Sequence, residues 1–135
     1  MNYWLVKTEP STWSWDDQVK KQVECWDGVR NYQAQNYMKQ MKIGDQVFFY
    51  HSVKEKQIVG LVEIVKEFYP DPTDKTARFM AVDVKAVKPV LKPVTLAEIK
   101  ADPDLQDLGL IRQSRLSVMP IDPKSWEIIC KMGGL

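Results

Sequence analysis

The sequence predicts one mixed domain of the α+β class, a curved sheet or small β-barrel with helices plugging its ends. Three observations lead there. The chain has 135 residues, enough for one domain with its own core. Short stretches rich in Val, Ile, Phe and Tyr follow helical ones in the order strand, helix, helix, strands, helix, strand, helix, without strict alternation. No repeat, low-complexity segment or linker divides the chain.

The elements follow in order. Residues 2–7, with Tyr3, Trp4, Leu5 and Val6, read as a first strand ended by Pro10 and Ser11. Ser14 caps a short helix, with Asp16 and Asp17 in its first turn, running to about Gln22. Asp27-Gly28 is a turn. Asn31 caps a second helix, in which Ala34, Tyr37, Met38 and Met41 share one face and Gly44 supplies the stop. Gln46–Ser52 and Ile58–Phe68 are strands joined by the charged tip Lys54-Glu55-Lys56, with a bend or close backbone approach at Gly60. Tyr69–Asp74, holding Pro70 and Pro72, is a loop. Arg78–Val87 alternates as a strand, and Pro89 and Pro93 bracket an extended link. Thr95-Leu96-Ala97-Glu98 fits a capping box opening a helix that ends before Pro103. Leu105–Leu110 gives a turn of helix, Leu116–Ile121 the last strand, and Asp122-Pro123 opens a helix stopped by Gly133-Gly134.

Composition narrows the function classes. Hydrophobic residues make up 44% and charged residues 27%, ordinary for a globular protein. No apolar run approaches the ~20 residues of a membrane helix, so no membrane partner is expected. The first residues lack a basic lead and a cleavage site, which predicts a cytoplasmic protein, and a monomer is expected. Cys25 and Cys130 lack metal-type spacing and His51 is the only histidine, so neither metal nor cofactor is expected. A net charge of +1 argues against a strong non-specific duplex binder. If nucleic acid is the ligand, a specific pocket and a local basic face must supply the affinity.

One constellation exceeds what a core requires. Cys25-Trp26-Asp27-Gly28-Val29-Arg30-Asn31 is followed by Val47-Phe48-Phe49-Tyr50-His51-Ser52. Aromatic faces beside fixed donors and acceptors suit a flat heterocycle such as a nucleobase. Trp26, beside a turn and off any amphipathic stripe, is the stacking candidate, against the alternative of a Trp closing the core. Trp4, Trp13, Trp15 and Trp126 read as core or helix anchors. His51 and Ser52 each stand between ligand contact and a structural hydrogen bond, and Asn31 between reading a ring nitrogen and capping its helix. Asp27 and Glu9 are acceptors suited to an exocyclic amine. Arg30 and Arg115 face either phosphate or salt bridges to Asp45 or Glu9, and Lys7 belongs with them. Lys39, with Lys42, Lys54 and Lys56, forms either a basic rim for phosphates or a solvated face.

Several segments carry a family resemblance: Tyr3-Trp4-Leu5-Val6-Lys7-Thr8-Glu9-Pro10, Cys25 through Ala34, Gly44-Asp45 with Phe48 through Ser52, Val59-Gly60, Tyr69-Pro70-Asp71 and Arg115-Leu116-Ser117-Val118. In this order, over nearly the whole chain, they resemble the EVE domain, a member of the PUA-like superfamily and a relative of the YTH domain. The resemblance implies a PUA-like β-barrel and a pocket for a flipped modified base, a modified cytosine foremost. It puts Trp26 where a cage holds its stacking aromatic, and Lys7-Thr8-Glu9 where polar contacts to the base arise. Charged Lys7 and Glu9 depart from the YTH pattern.

The expectation is therefore a non-catalytic module whose pocket is lined by Trp26 and closed by Tyr50, with polar contacts from Lys7, Thr8, Glu9, Asp27, Asn31, His51 and Ser52. Arg30, Arg115 and Lys39 are the phosphate candidates. The partner is nucleic acid carrying a modified base, DNA before RNA. An RNA-binding PUA-like module is the alternative, and a small hydrolase using His51 ranks behind both, since no nucleophile elbow or Gly-rich phosphate loop is present.

Overall fold

The computed structural model describes residues 1–135. Six strands form one sheet: β1 (Tyr3–Thr8), β2 (Val23–Trp26), β3 (Gln46–His51), β4 (Gln57–Pro70), β5 (Met80–Thr95) and β6 (Val118–Ile121). Five helices accompany them: α1 (Trp15–Lys21), α2 (Tyr32–Met38), α3 (Leu96–Ala101), α4 (Gly109–Arg112) and α5 (Pro123–Gly133), none long and apolar enough to cross a membrane. The strand order is β2-β5-β4-β3-β1-β6. β1 and β3 run parallel, and every other neighbouring pair is antiparallel.

Local chemistry sets the helix starts. Ser14 and Asp17 exchange hydrogen bonds as a capping box, and Thr95 and Glu98 do the same for α3. Asn31 accepts from the Ala34 N–H at 2.9 Å, and Asp122 accepts from the Ser125 N–H with Pro123 at the first helical position. α2 stops at Met38, and Met41 reaches the core from the turn that follows.

Cross-strand pairing, more than local pattern, sets the strands. The short segment Val23–Trp26 has no long alternation and was not expected to be a strand. It becomes one by pairing with Val82–Lys85 of β5. β4 runs through Tyr69 and Pro70, which pair with Ala81 and Met80, so the loop expected over Tyr69–Asp74 begins only at Asp71. At the strand's last position the missing proline N–H interrupts no continuing ladder. The expected link after Val87 is also strand. The ladder passes from Gly60↔Pro89 to Ile58↔Val94, so Val90–Pro93 bulge out of register and β5 continues through both prolines.

The sheet is curved but not closed, which corrects the barrel expectation. The outer edges of the four-residue strands β2 and β6 pair with nothing. Helix α2 packs on both β6 and β5 across the opening, filling with side chains the space where a ladder would join the edges. The core includes Leu5, Phe48, Phe49, Ile58, Ile64, Met38 and Met119. Trp126 of α5 stacks on Phe48 at 3.8 Å and on Tyr3 at 4.5 Å between ring centroids.

The close approach expected at Gly60 is real. A Cβ there would overlap the indole ring of Trp15. That ring has little freedom to yield, because the Trp15 backbone N–H is held by His51 Nε2 at 3.0 Å and the indole packs edge-on against Phe49 at 5.2 Å. Gly60→Ala is therefore expected to destabilise the fold by about 1–3 kcal/mol, the usual range for overpacking a filled core. A lowered midpoint in urea unfolding checks this, and an unchanged midpoint would mean the Trp15 ring moves freely.

Candidate functional site

The largest cavity, of about 540 Å³, opens between β1 and β2. Its walls come from the end of β1 (Lys7, Thr8), the loop after it (Thr12, Trp13), Glu24 through Asn31, and Ser117 just before β6. β2 is one edge of the sheet, and β1 and β6 lie at the other. The cleft thus forms where the curl of the open sheet brings its two sides near each other.

Two indoles line the cavity. Trp26 is only 8% exposed and packs edge-on against Phe49 at 5.7 Å, so the core fixes the ring it offers to the cavity. Trp13 is half-buried, its Nε1–H donates to Gln18 Oε1 at 2.9 Å, and Lys21 Nζ lies 5.9 Å from its ring centroid. The Thr8 hydroxyl donates to the Trp13 carbonyl at 2.9 Å, tying the end of β1 to this loop.

The Gly28–Asn31 loop is held from beneath. Asp71, buried at the start of the β4–β5 loop, accepts from the Gly28 N–H at 2.8 Å and from Arg30 Nη1 at 2.9 Å. Its other oxygen accepts from the Thr73 N–H and hydroxyl. Buried Gln35 donates to the carbonyls of Val29 and Met80 and accepts from the Met80 N–H, fastening the same loop to β5. The cavity wall is therefore preorganised, which spares a ligand the entropy of ordering it.

The site is electrostatically mixed. Burial lowers the pKa of Lys7, whose Nζ donates to the Ser114 carbonyl at 2.9 Å. The Asp27 carboxyl is pushed up by burial and by the neighbouring Asp71 and Glu24 carboxylates. Burial also pushes up the Cys25 thiol, keeping it a thiol rather than a nucleophilic thiolate. Flat apolar faces with an acceptor-rich rim suit a planar ligand bearing an amino group.

The fold gathers Lys7, Thr8, Trp26, Asp27, Arg30 and Asn31 of the expected residues in this cavity. Arg30 spends its guanidinium on Asp71 and Thr73, a pairing in place of the expected Asp45 or Glu9. Asp45 is buried elsewhere and accepts from the Asn2 N–H, Trp4 Nε1 and the Lys42 N–H. The remaining residues lie outside the cavity. Tyr50 is buried in the core, where burial raises its hydroxyl to about 12, and Lys7 Nζ stands 5.8 Å from its ring. His51 is committed at both nitrogens, Nε2 to the Trp15 N–H and Nδ1 to Glu55 at 3.1 Å. Glu9 and Ser52 line a separate, smaller depression with Pro10 and Lys54. Lys39 is exposed at the far end of α2 from Asn31, about 12 Å of helix away. Arg115 is exposed two residues before Ser117 of the cavity wall. Thr12, Trp13, Glu24 and Ser117 were not anticipated. For Trp13 the spacing from Thr8 was the available signal, since a strand end leading into a loop carries the chain to a sheet's rim.

The family model described as EVE domain matches residues 2–132. Thymocyte nuclear protein 1 of Mus musculus is 35% identical, covering 97% of this chain and 73% of that protein. An NMR structure of a Rhodopseudomonas palustris protein shares 54% identity with a TM-score of 0.94, over 99% of this chain and 94% of that one. The crystal structure of human THYN1 protein in complex with 5-methylcytosine containing DNA is 34% identical with a TM-score of 0.91, over 100% of this chain and 99% of that one. At the level of fold alone, ASCH from Zymomonas mobilis matches at 10% identity and a TM-score of 0.61, over 97% of this chain and 95% of that one.

Proposed function

The chain belongs to the EVE domain family, and from that premise we propose that it is a non-catalytic reader that takes one modified base of DNA, a modified cytosine foremost, into the Trp13–Trp26 cavity. The observation that carries this reading is a preorganised cleft of about 540 Å³ in which two indoles meet the acceptor Asp27 and the polar groups of Lys7, Thr8 and Asn31. The human relative, in complex with 5-methylcytosine containing DNA, supports the ligand class. A cytosine-type base offers an exocyclic amine to an acceptor such as Asp27 and a flat face to an indole.

Binding without bond-making fits the groups present. The single histidine serves the scaffold through Trp15 and Glu55. The cavity thiol is held protonated, and the Thr8 hydroxyl is spent on a carbonyl. No activated nucleophile stands beside a base. Base extrusion is easiest from single-stranded or mismatched DNA, so such targets are favoured.

The energetics add a constraint. One stack of about 1–3 kcal/mol and a few hydrogen bonds of about 0.5–1.5 kcal/mol each leave a free base near the millimolar range. Contacts to the phosphodiester chain must supply the rest. The test is fluorescence anisotropy with matched labelled oligonucleotides carrying cytosine, 5-methylcytosine, 5-hydroxymethylcytosine or N6-methyladenine. Tighter binding of a modified cytosine than of cytosine is expected, together with much weaker binding of the free nucleoside. Equal affinity for all four strands by folded protein overturns the reading.

A further inference from the structure

The geometry points to a second stacking site on the rim of the cavity, formed by Tyr32 and Phe79, which receives the unpaired base next to the one in the cavity. The inference rests on the reading of the cavity as a base pocket. Tyr32 is the first residue of α2 and is 67% exposed, although no helix needs an aromatic side chain there. Its ring lies 5.5 Å from that of Phe79 with 33° between planes. The Arg30 guanidinium lies 4.9 Å from the Phe79 centroid. Arg30 and Asn31 both line the cavity, so the aromatic pair adjoins its rim through Arg30 and through the chain from Asn31 to Tyr32.

The loop presenting Phe79 is tied down from within and carries two cations free of ion pairs. Asp74 is consumed within it, accepting from the Thr76 N–H and hydroxyl and from the backbone N–H groups of Arg78 and Phe79. Lys75 and Arg78 are exposed on the same loop, and neither makes an ion pair. An exposed aromatic face beside unpaired cations is the combination that binds single-stranded nucleic acid, the ring stacking a base and the cations meeting phosphates. A strand whose modified base enters the cavity must continue past its mouth. Tyr32, directly after the cavity residue Asn31, is exposed where such a strand can reach it.

The experiment compares the protein with its Tyr32→Ala and Tyr32→Trp variants on a labelled single strand containing a central 5-methylcytosine. Two further strands carry an abasic residue on the 5′ or the 3′ side of that base. Tyr32→Ala is expected to weaken binding of the intact strand roughly tenfold, the scale of one base–aromatic stack, and Tyr32→Trp to restore it. One abasic strand should bind the unmodified protein about tenfold less tightly and be indifferent to Tyr32→Ala. Full affinity of Tyr32→Ala for the intact strand overturns the rim site while leaving the cavity reading intact, as does an equal loss on both abasic strands. No binding of the intact strand by the unmodified protein overturns both.

Discussion

Asp71→Ala is expected to lower unfolding free energy by about 2–4 kcal/mol and to weaken binding of a modified-base oligonucleotide about tenfold. The side chain of Asp71 is fully buried, while that of its partner Arg30 is 40% exposed. The substitution thus leaves a partly hydrated cation rather than a fully buried one, which keeps the loss moderate. The binding effect arises because the same carboxylate holds the Gly28 N–H and Arg30, so the Asp27–Asn31 wall loses its anchor. Denaturant unfolding reads the first effect and anisotropy the second. A stable variant with full affinity would mean that Gln35 alone holds the loop.

Acid supplies an independent check on Asp71. Burial by itself would raise its pKa, but hydrogen bonds from Thr73 and Arg30 and from the Gly28 N–H outweigh burial and hold it below the ordinary carboxylate value. A group whose pKa is depressed on folding contributes stability above its unfolded pKa, and that stability is lost as pH falls through the folded value. The unmodified protein should therefore lose stability on acidification below about pH 4, and Asp71→Asn should flatten that part of the curve.

Trp26→Leu is expected to retain the fold and lose about tenfold to a hundredfold in affinity for a modified-base strand, the contribution of one stack. Leucine keeps most of the apolar packing on Phe49. Trp26→Ala removes that packing as well, and its cost of about 3–5 kcal/mol of stability makes it the less informative variant. Circular dichroism verifies the fold of Trp26→Leu, and anisotropy measures its binding. Unchanged affinity in a folded variant would mean that Trp26 is a core residue whose edge happens to face the cavity.

What was legible in the sequence was mostly what neighbouring residues decide. The caps at Ser14, Asn31, Thr95 and Asp122 depend on hydrogen bonds spanning three residues, so local chemistry reveals them. The close approach at Gly60 was signalled by a lone glycine in a strand, although the indole filling the space was not. β2 and the full lengths of β4 and β5 were hidden because pairing across the sheet creates them, with Pro70, Pro89 and Pro93 accommodated at a strand end and a bulge. In the site, Trp26 through Asn31 read as a unit because they are contiguous. Trp13 and Ser117 did not, since only the curl of the sheet brings them to that unit. For His51 the sequence leaves ligand contact and a structural hydrogen bond equally open, because the backbone N–H that donates to it belongs to Trp15, distant in sequence.

The stack of Tyr3, Trp126 and Phe48 has a consequence for the order in which the molecule can be made. β1 precedes the other five strands of the sheet, yet its two neighbours are β3 and β6, and the ring between Tyr3 and Phe48 belongs to α5. On the ribosome β1 must remain without its antiparallel neighbour until Val118–Ile121 has emerged. Such long-range closure slows folding relative to locally wired domains. Final consolidation is thereby tied to the emergence of β6 and α5, and a nascent chain cut short before Val118 leaves the β1 edge open to self-association.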